Sequence, residues 1–229
     1  MPDKHDQSLP FQGLNFFGKI TASMSHEINN VLAIVNEYNG LLEDLLYAAE
    51  QGRPISNEQL QRISSSISNQ MIRGKQITKR MNRFAHSIDK PVRSVDLNSL
   101  VDDMVQISER LTSQRSIHLQ ADLPGSTIIV ESNPFFLKYA IFSYLSIIIA
   151  RAQKGNETFI KLEAHNSGAK LIFTSSPVDN SVDVTDNMAL QYNIALFLQA
   201  RCSEISSQND HYTVELLIPQ NMKSPDKVS

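Results

Sequence analysis

Ser23-Met24-Ser25-His26-Glu27-Ile28-Asn29-Asn30 lies inside an apolar pattern that runs well beyond it on both sides. Phe17, Ile20, Met24, Ile28, Val31, Val35, Tyr38, Leu42, Leu45 and Ala49 follow steps of three and four, the period of an amphipathic helix. The pattern predicts one helix over residues 14–50, about 50 Å long at ~1.5 Å per residue. Gln51-Gly52-Arg53-Pro54 ends it. Ser56, with Gln59 three residues on, has the form of a capping box and opens a second helix. Leu60, Ile63, Ile67, Met71, Ile77, Met81, Phe84 and Ile88 mark the apolar side of that helix. One hairpin buries two such stripes poorly, whereas two hairpins make a four-helix bundle, so a homodimer is expected.

His26 stands two residues from both Met24 and Ile28. At ~100° per residue it lies about 200° around the axis from each and faces solvent. Asn30, one turn on, shares that face, about 40° away. Glu27 is the neighbouring position and can reach the ring. An exposed imidazole beside a carboxylate suits nucleophilic work, because the carboxylate fixes the tautomer and supports the charge that develops on attack. The same pair on an ordinary surface is simply solvated, and the rest of the chain decides between the two. Position 30 is Asn, which excludes the paired-histidine zinc helix.

After Asp89-Lys90-Pro91 the period changes. Leu97–Leu111 reads as an amphipathic helix, Ile117–Ala121 alternates as a half-buried strand, and Ile128–Val130 is a second strand. Asn133-Pro134 is a cap followed by proline in the first turn, leading into an apolar helix. Strands follow at residues 158–164 and 170–174, a helix at 188–201 and a last strand at 212–218. Strands mixed with three helices predict an α/β sandwich with helices on one face of a sheet. The expected organisation is therefore α+β. It comprises a disordered 1–13, a helical hairpin at 14–90, the sandwich at 91–219 and a disordered tail at 220–229.

Composition narrows the function. The 229 residues are 41% hydrophobic and 20% charged, which excludes a disordered chain and leaves ample core. A net charge of −3 gives no reason to expect nucleic-acid binding. Cys202 is the single cysteine, so there is no internal disulfide, and the six histidines show no metal-ligand spacing. Cys202 reads as a small buried residue, and Phe159, Phe173, Phe197 and Tyr212 as core. Met1–Pro10 lacks the apolar core of a signal peptide. The most apolar run, Phe135–Ala150, is short for a membrane span and carries Lys138, Ser143 and Ser146. A cytoplasmic protein with no membrane contact is expected, taking its input from a partner protein. Arg73, Lys75, Lys79, Arg80 and Arg83 form a basic run on the second helix. It reads as a solvated face, or as a match for an acidic partner.

Ser23–Asn30 resembles the phosphoacceptor box of two-component sensor histidine kinases, and the hairpin resembles their dimerisation and histidine-phosphotransfer domain. Arg80-Met81-Asn82-Arg83-Phe84-Ala85 is similar to the end of their second helix. Val95-Asp96-Leu97-Asn98-Ser99-Leu100-Val101 is similar to the segment leading into their ATP-binding domain. The resemblance covers about Leu14 to Pro219. It implies His26 as phosphoacceptor, Glu27 as its base, and Asn30 as the residue that orients water when a partner is dephosphorylated. Val31 stands where the family commonly has proline.

The resemblance also implies an ATP site, and there the chain departs from the family. Ser143 and Ile147 fall where the family has its metal-binding asparagines, and Ile147 cannot hold a metal. Ser175-Ser176-Pro177-Val178 replaces the aspartate-glycine turn, and Ala189-Leu190-Gln191-Tyr192 the lid glycines. No glycine follows Gly168, so a glycine-rich phosphate loop cannot form beyond it. Asp179, Asp183 and Asp186 would repel a triphosphate unless a metal intervened. The expected function is a histidine phosphotransferase of a phosphorelay, a pseudo histidine kinase without ATP-dependent autokinase activity. His26 would accept a phosphoryl group from a receiver-domain aspartate and pass it to another receiver. No cofactor is expected in this chain, with Mg²⁺ supplied by the receiver. The alternatives are a response-regulator phosphatase working through Glu27 and Asn30, or a non-catalytic receiver-binding adaptor.

Overall fold

The fold comes from a computed structural model that describes residues 9–166, 168–179, 185–206 and 211–222. It is mixed helix and sheet, with the chain dividing into two compact units. Gly18–Ala85 forms one, and the chain up to Phe17 together with His86 onward forms the other.

The Gly18–Ala85 unit consists of most of α1 (Leu9–Glu50) and α2 (Asn57–Ala85), joined by a short loop. The loop is built by two local devices. Gly52 sits at φ 80°, and the N–H groups of Arg53 and Gly52 donate back to the carbonyls of Ala48 and Ala49 at 3.0 and 2.9 Å. This is a glycine-capped helix end in which only glycine takes the left-handed residue without strain. The capping box then forms in full. Gln59 N–H donates to Ser56 Oγ at 3.1 Å, and Ser56 N–H donates to Gln59 Oε1 at 3.0 Å. Ile20, Met24, Val31, Ile63, Ile77 and Phe84 are buried. Val35, Tyr38, Leu42, Leu45 and Ala49 are only half-buried, and Leu32, Leu41, Leu46 and Met71 are exposed.

The second unit is an α/β sandwich. Its sheet has the order β2 (His118–Asp122), β4 (Ala152–His165), β5 (Gly168–Val178), β7 (Tyr212–Pro219) and β6 (Arg201–Ser206). The β2–β4 pair is parallel and the others antiparallel. Helices α3 (Leu97–Arg115), α4 (Pro134–Arg151) and α5 (Thr185–Phe197) pack on one face. That inner face carries Ile160, Leu162, Leu171, Phe173, Val214 and Leu216, all nearly inaccessible. The outer face carries a chain of alternating charges across β2, β4, β5 and β7. Lys161 contacts Glu163 at 2.9 Å and Asp122 at 3.8 Å, and Lys170 contacts Glu215 at 3.2 Å and Glu163 at 3.7 Å. The bond to Glu163 holds the Lys161 ammonium above its usual range. A separate ribbon pairs β1 (Arg93–Asp96) with β3 (Ile129–Ser132).

Helix α4 is the centre of this unit. Asn133 Oδ1 accepts from the Phe136 N–H at 3.0 Å, with Pro134 in the first turn, so the expected cap is formed. By length and composition α4 could cross a membrane. Thirteen of its eighteen residues are buried, however, so it serves as the core helix of this unit. Phe16 stacks on Tyr139 with ring centroids 4.7 Å apart and meets Phe135 and Phe142 at 5.5 and 5.2 Å. Burial pushes the Tyr139 hydroxyl up to about 12.

Several elements differ from the sequence expectation. Helix α1 begins at Leu9, so residues 9–13, expected in a disordered leader, are helical. Pro10 is tolerated in a first helical turn, and the buried aromatic of this segment is Phe16, not Phe17. Residues 220–222, expected in the tail, are held against β3. Glu131 N–H donates to Gln220 O at 2.9 Å, and Met222 N–H to Glu131 O at 2.7 Å. Strands β1 and β6 were not expected. Cys202 is exposed, because β6 is the edge of the sheet. Phe159 is 38% exposed, because it alternates onto the outer face.

Candidate functional site

His26 lies in the middle of α1, where an uninterrupted helix fixes its direction. Met24 and Val31 are buried while His26 and Asn30 are exposed, as helical phase requires. The Asn30 side-chain amide nitrogen stands 3.2 Å from His26 Nδ1. One helical turn separates the two residues, so the pairing needs no support from elsewhere in the chain. Glu27, the next residue along the helix, is half-buried. The group that the structure sets beside His26 Nδ1 is Asn30, which the sequence placed on the same face.

An amide presents a donor and an acceptor, so Asn30 can pair with either neutral tautomer of the ring. Its N–H matches a bare Nδ1. Its carbonyl matches Nδ1–H and leaves the Nε2 lone pair directed to solvent. In both cases Nδ1 is occupied and Nε2 faces solvent, as an N–H in the first and as a free lone pair in the second. The site is a solvent-facing imidazole on a rigid helix, with one ring nitrogen engaged and the other accessible.

The residues laid against a nucleotide site sit differently. Phe136, Ser143 and Ile147 share one side of α4. Ser143 Oγ turns back onto the Ala140 carbonyl at 3.1 Å, Ile147 is 1% exposed, and Phe136 packs on Phe197 of α5 at 4.2 Å. Ser175-Ser176-Pro177-Val178 does not turn. These residues continue β5, with Ser176 opposite Glu157 and Val178 opposite Ala152. Thr158 Oγ donates to Ser175 Oγ at 3.3 Å, and the Asn156 amide to the Pro177 carbonyl at 2.8 Å. Leu190-Gln191-Tyr192 lie inside α5, with Gln191 buried and Tyr192 exposed. Asp179 is exposed, and Asp183 lies outside the described residues.

No protein-family model matches the chain. No curated protein is similar to it in sequence. Solved structures do match. The catalytic domain of the histidine kinase ThkA superposes with a TM-score of 0.52 at 11% identity, covering 58% of this chain and all of that domain. A second crystal form of the same domain gives 0.50 at 12% identity, with the same coverage. The histidine kinase AdeS from Acinetobacter baumannii gives 0.49 at 12% identity, covering 85% of this chain and 98% of its own. At these identities the likeness is one of fold. The α/β sandwich has the architecture of a histidine-kinase catalytic domain.

Proposed function

We propose that this protein is a phosphohistidine carrier of a two-component relay, built on a histidine-kinase-like scaffold that no longer uses ATP. The observation that carries the reading is His26, exposed on a continuous helix with Nδ1 engaged by Asn30 and Nε2 open. The Nε2 lone pair attacks the phosphorus of a receiver's aspartyl phosphate in line. The N–P bond forms as the P–O bond to aspartate breaks, and the carboxylate leaves as an anion. The positive charge on the ring is shared with Nδ1–H, from which the Asn30 carbonyl accepts once the amide is turned over, and the neighbouring Glu27 carboxylate lowers the cost of the charge through its proximity. Transfer to a second receiver runs the same steps backward. The receiver brings its own Mg²⁺, which would neutralise charge on the moving group; the chain itself contributes positioning.

The absence of ATP chemistry is supported by α4 and β5. A metal-binding asparagine is replaced by buried Ile147, Phe197 packs on the same side of the helix, and the strand continues where a glycine turn would approach phosphate. The exposed and half-buried apolar side chains of the hairpin support a homodimer that completes a four-helix bundle in the cytoplasm.

A second reading rests on Asn30 itself. A side-chain amide at the nucleophile's own face could hold a water in line with a receiver's phosphoaspartate, which would make the chain a phosphatase. Prephosphorylated, radiolabelled receiver domains distinguish the two. Asn30→Ala is expected to keep acid-labile label transfer within about tenfold of wild type, the usual scale for a supporting hydrogen bond. Release of free phosphate, lost in Asn30→Ala while His26→Ala retains it, would establish the phosphatase instead.

A further inference from the structure

The hairpin is charged unevenly along its length, and the uneven part lies where His26 is. Between residues 18–36 and 70–85 it carries six cations, Lys19, Arg73, Lys75, Lys79, Arg80 and Arg83, against Glu27 alone. Between residues 37 and 69 it carries five carboxylates against Arg53 and Arg62. No acidic residue occurs from Gln59 to Ile88. The chain as a whole is at −3, so the cationic end is local.

The register of the two helices sets the height of this charge. A Cβ at Gly74 would lie 3.2 Å from Val31 Cγ1, so these two positions face each other. A cavity of about 330 Å³ nearer the loop is lined by Tyr38, Leu41 and Leu45 from α1 and by Gln59, Ile63 and Ser66 from α2, which fits the same register. Counting away from Gly74 and Val31 in opposite directions along antiparallel helices puts Lys79 level with His26. Lys75 and Arg83 then lie about 6 Å to either side of that level. Lys75, Lys79 and Arg83 recur every fourth residue and form one line, about 200° around α2 from buried Ile77. All three are exposed. Neither Lys75 nor Lys79 has an ion-pair partner among the described residues.

We propose that the line Lys75–Lys79–Arg83 is the landing surface for an acidic partner protein, the phosphoryl-bearing receiver of the relay. The inference rests on the phosphocarrier reading of His26 and adds to it the residues that bring the donor in. An aspartyl phosphate held among carboxylates is strongly anionic, and a cationic end at the nucleophile's height raises its local concentration and its rate of encounter. The loop end of the hairpin, rich in carboxylates, repels the same surface and so favours one orientation. The helix line carries no aromatic side chain on which bases could stack, so a protein surface is favoured over nucleic acid.

The test follows transfer of label from a phosphorylated receiver to wild type and to K75E/K79E over a range of salt. At about 50 mM salt the double variant is expected to accept label tenfold or more slowly, and the difference should shrink to about twofold near 0.5 M. Equal rates at low salt would overturn the proposal, as would a deficit that high salt does not reduce. Label reaching His26→Ala would instead overturn the reading of the site. If wild type accepts label from no receiver, the surface is read from binding of unphosphorylated receiver at low salt. Retention by wild type and not by K75E/K79E supports the surface, and equal retention, or none, overturns it. A duplex oligonucleotide that displaces the receiver from wild type at equal concentration would overturn the choice of partner.

Discussion

His26→Ala is expected to reduce acceptance of label from any receiver to background, a loss of at least about 10³-fold, because the variant has no group left to form the N–P bond. The hairpin should survive the change. His26 is exposed and its one hydrogen-bonded neighbour, Asn30, is also exposed, so neither loses a buried partner. Alanine has the higher helix propensity, and the stability of the variant should stay within about 0.5 kcal/mol of wild type. Circular dichroism and sedimentation check this directly. A His26→Ala protein that loses helicity would show that the ring supports the fold, and its failure to accept label would then say nothing about chemistry.

The largest effect on stability is expected at Gly168. Its backbone lies at φ +145°, and a Cβ there would stand 2.0 Å from the Ile218 carbonyl oxygen and 2.6 Å from the Gln220 nitrogen. Both obstacles are backbone atoms of β7 and the segment after it, which is paired to β5 along its whole length. Nothing flexible can give way, so even alanine must open the β5–β7 ladder at its end. Gly168→Ala should destabilise the α/β unit by ~4 kcal/mol or more. Gly125→Ala, where an added Cβ meets nothing within 4 Å, should change it by less than about 1 kcal/mol. Urea unfolding followed by near-ultraviolet tyrosine dichroism reads the difference, since Tyr144 and Tyr212 are buried in this unit and the chain has no tryptophan. Equal midpoints for the two variants would mean that the end of β7 yields freely.

The elements that were legible in the sequence are those fixed by neighbours along the chain. The capping box at Ser56, the glycine end at Gly52 and the Asn133-Pro134 start all form as residue type and spacing require. The placement of His26 and Asn30 is equally local, because helical phase alone separates them from Met24 and Val31. Phe16 and Phe17 show where local pattern stops deciding. Both fit a step to Ile20, and only the ring contacts with Phe135, Tyr139 and Phe142 choose Phe16. Strand β6 has little apolar alternation of its own and exists because β7 offers a free edge. Gln220 to Met222 are ordered for the same reason, by β3. Cys202 and Phe159 were misplaced because burial of a strand residue depends on which face and edge the sheet gives it, and these depend on strand order.

The most direct measurement of the central claim compares two phosphodonors on the same purified protein. One sample receives γ-labelled ATP with Mg²⁺, and the other a labelled, phosphorylated receiver domain. Label is expected on the chain from the receiver and none from ATP, acid-labile and absent from His26→Ala. Acid-labile label reaching His26 from ATP alone would contradict the claim, because it would require a working nucleotide site where α4 and α5 are packed together.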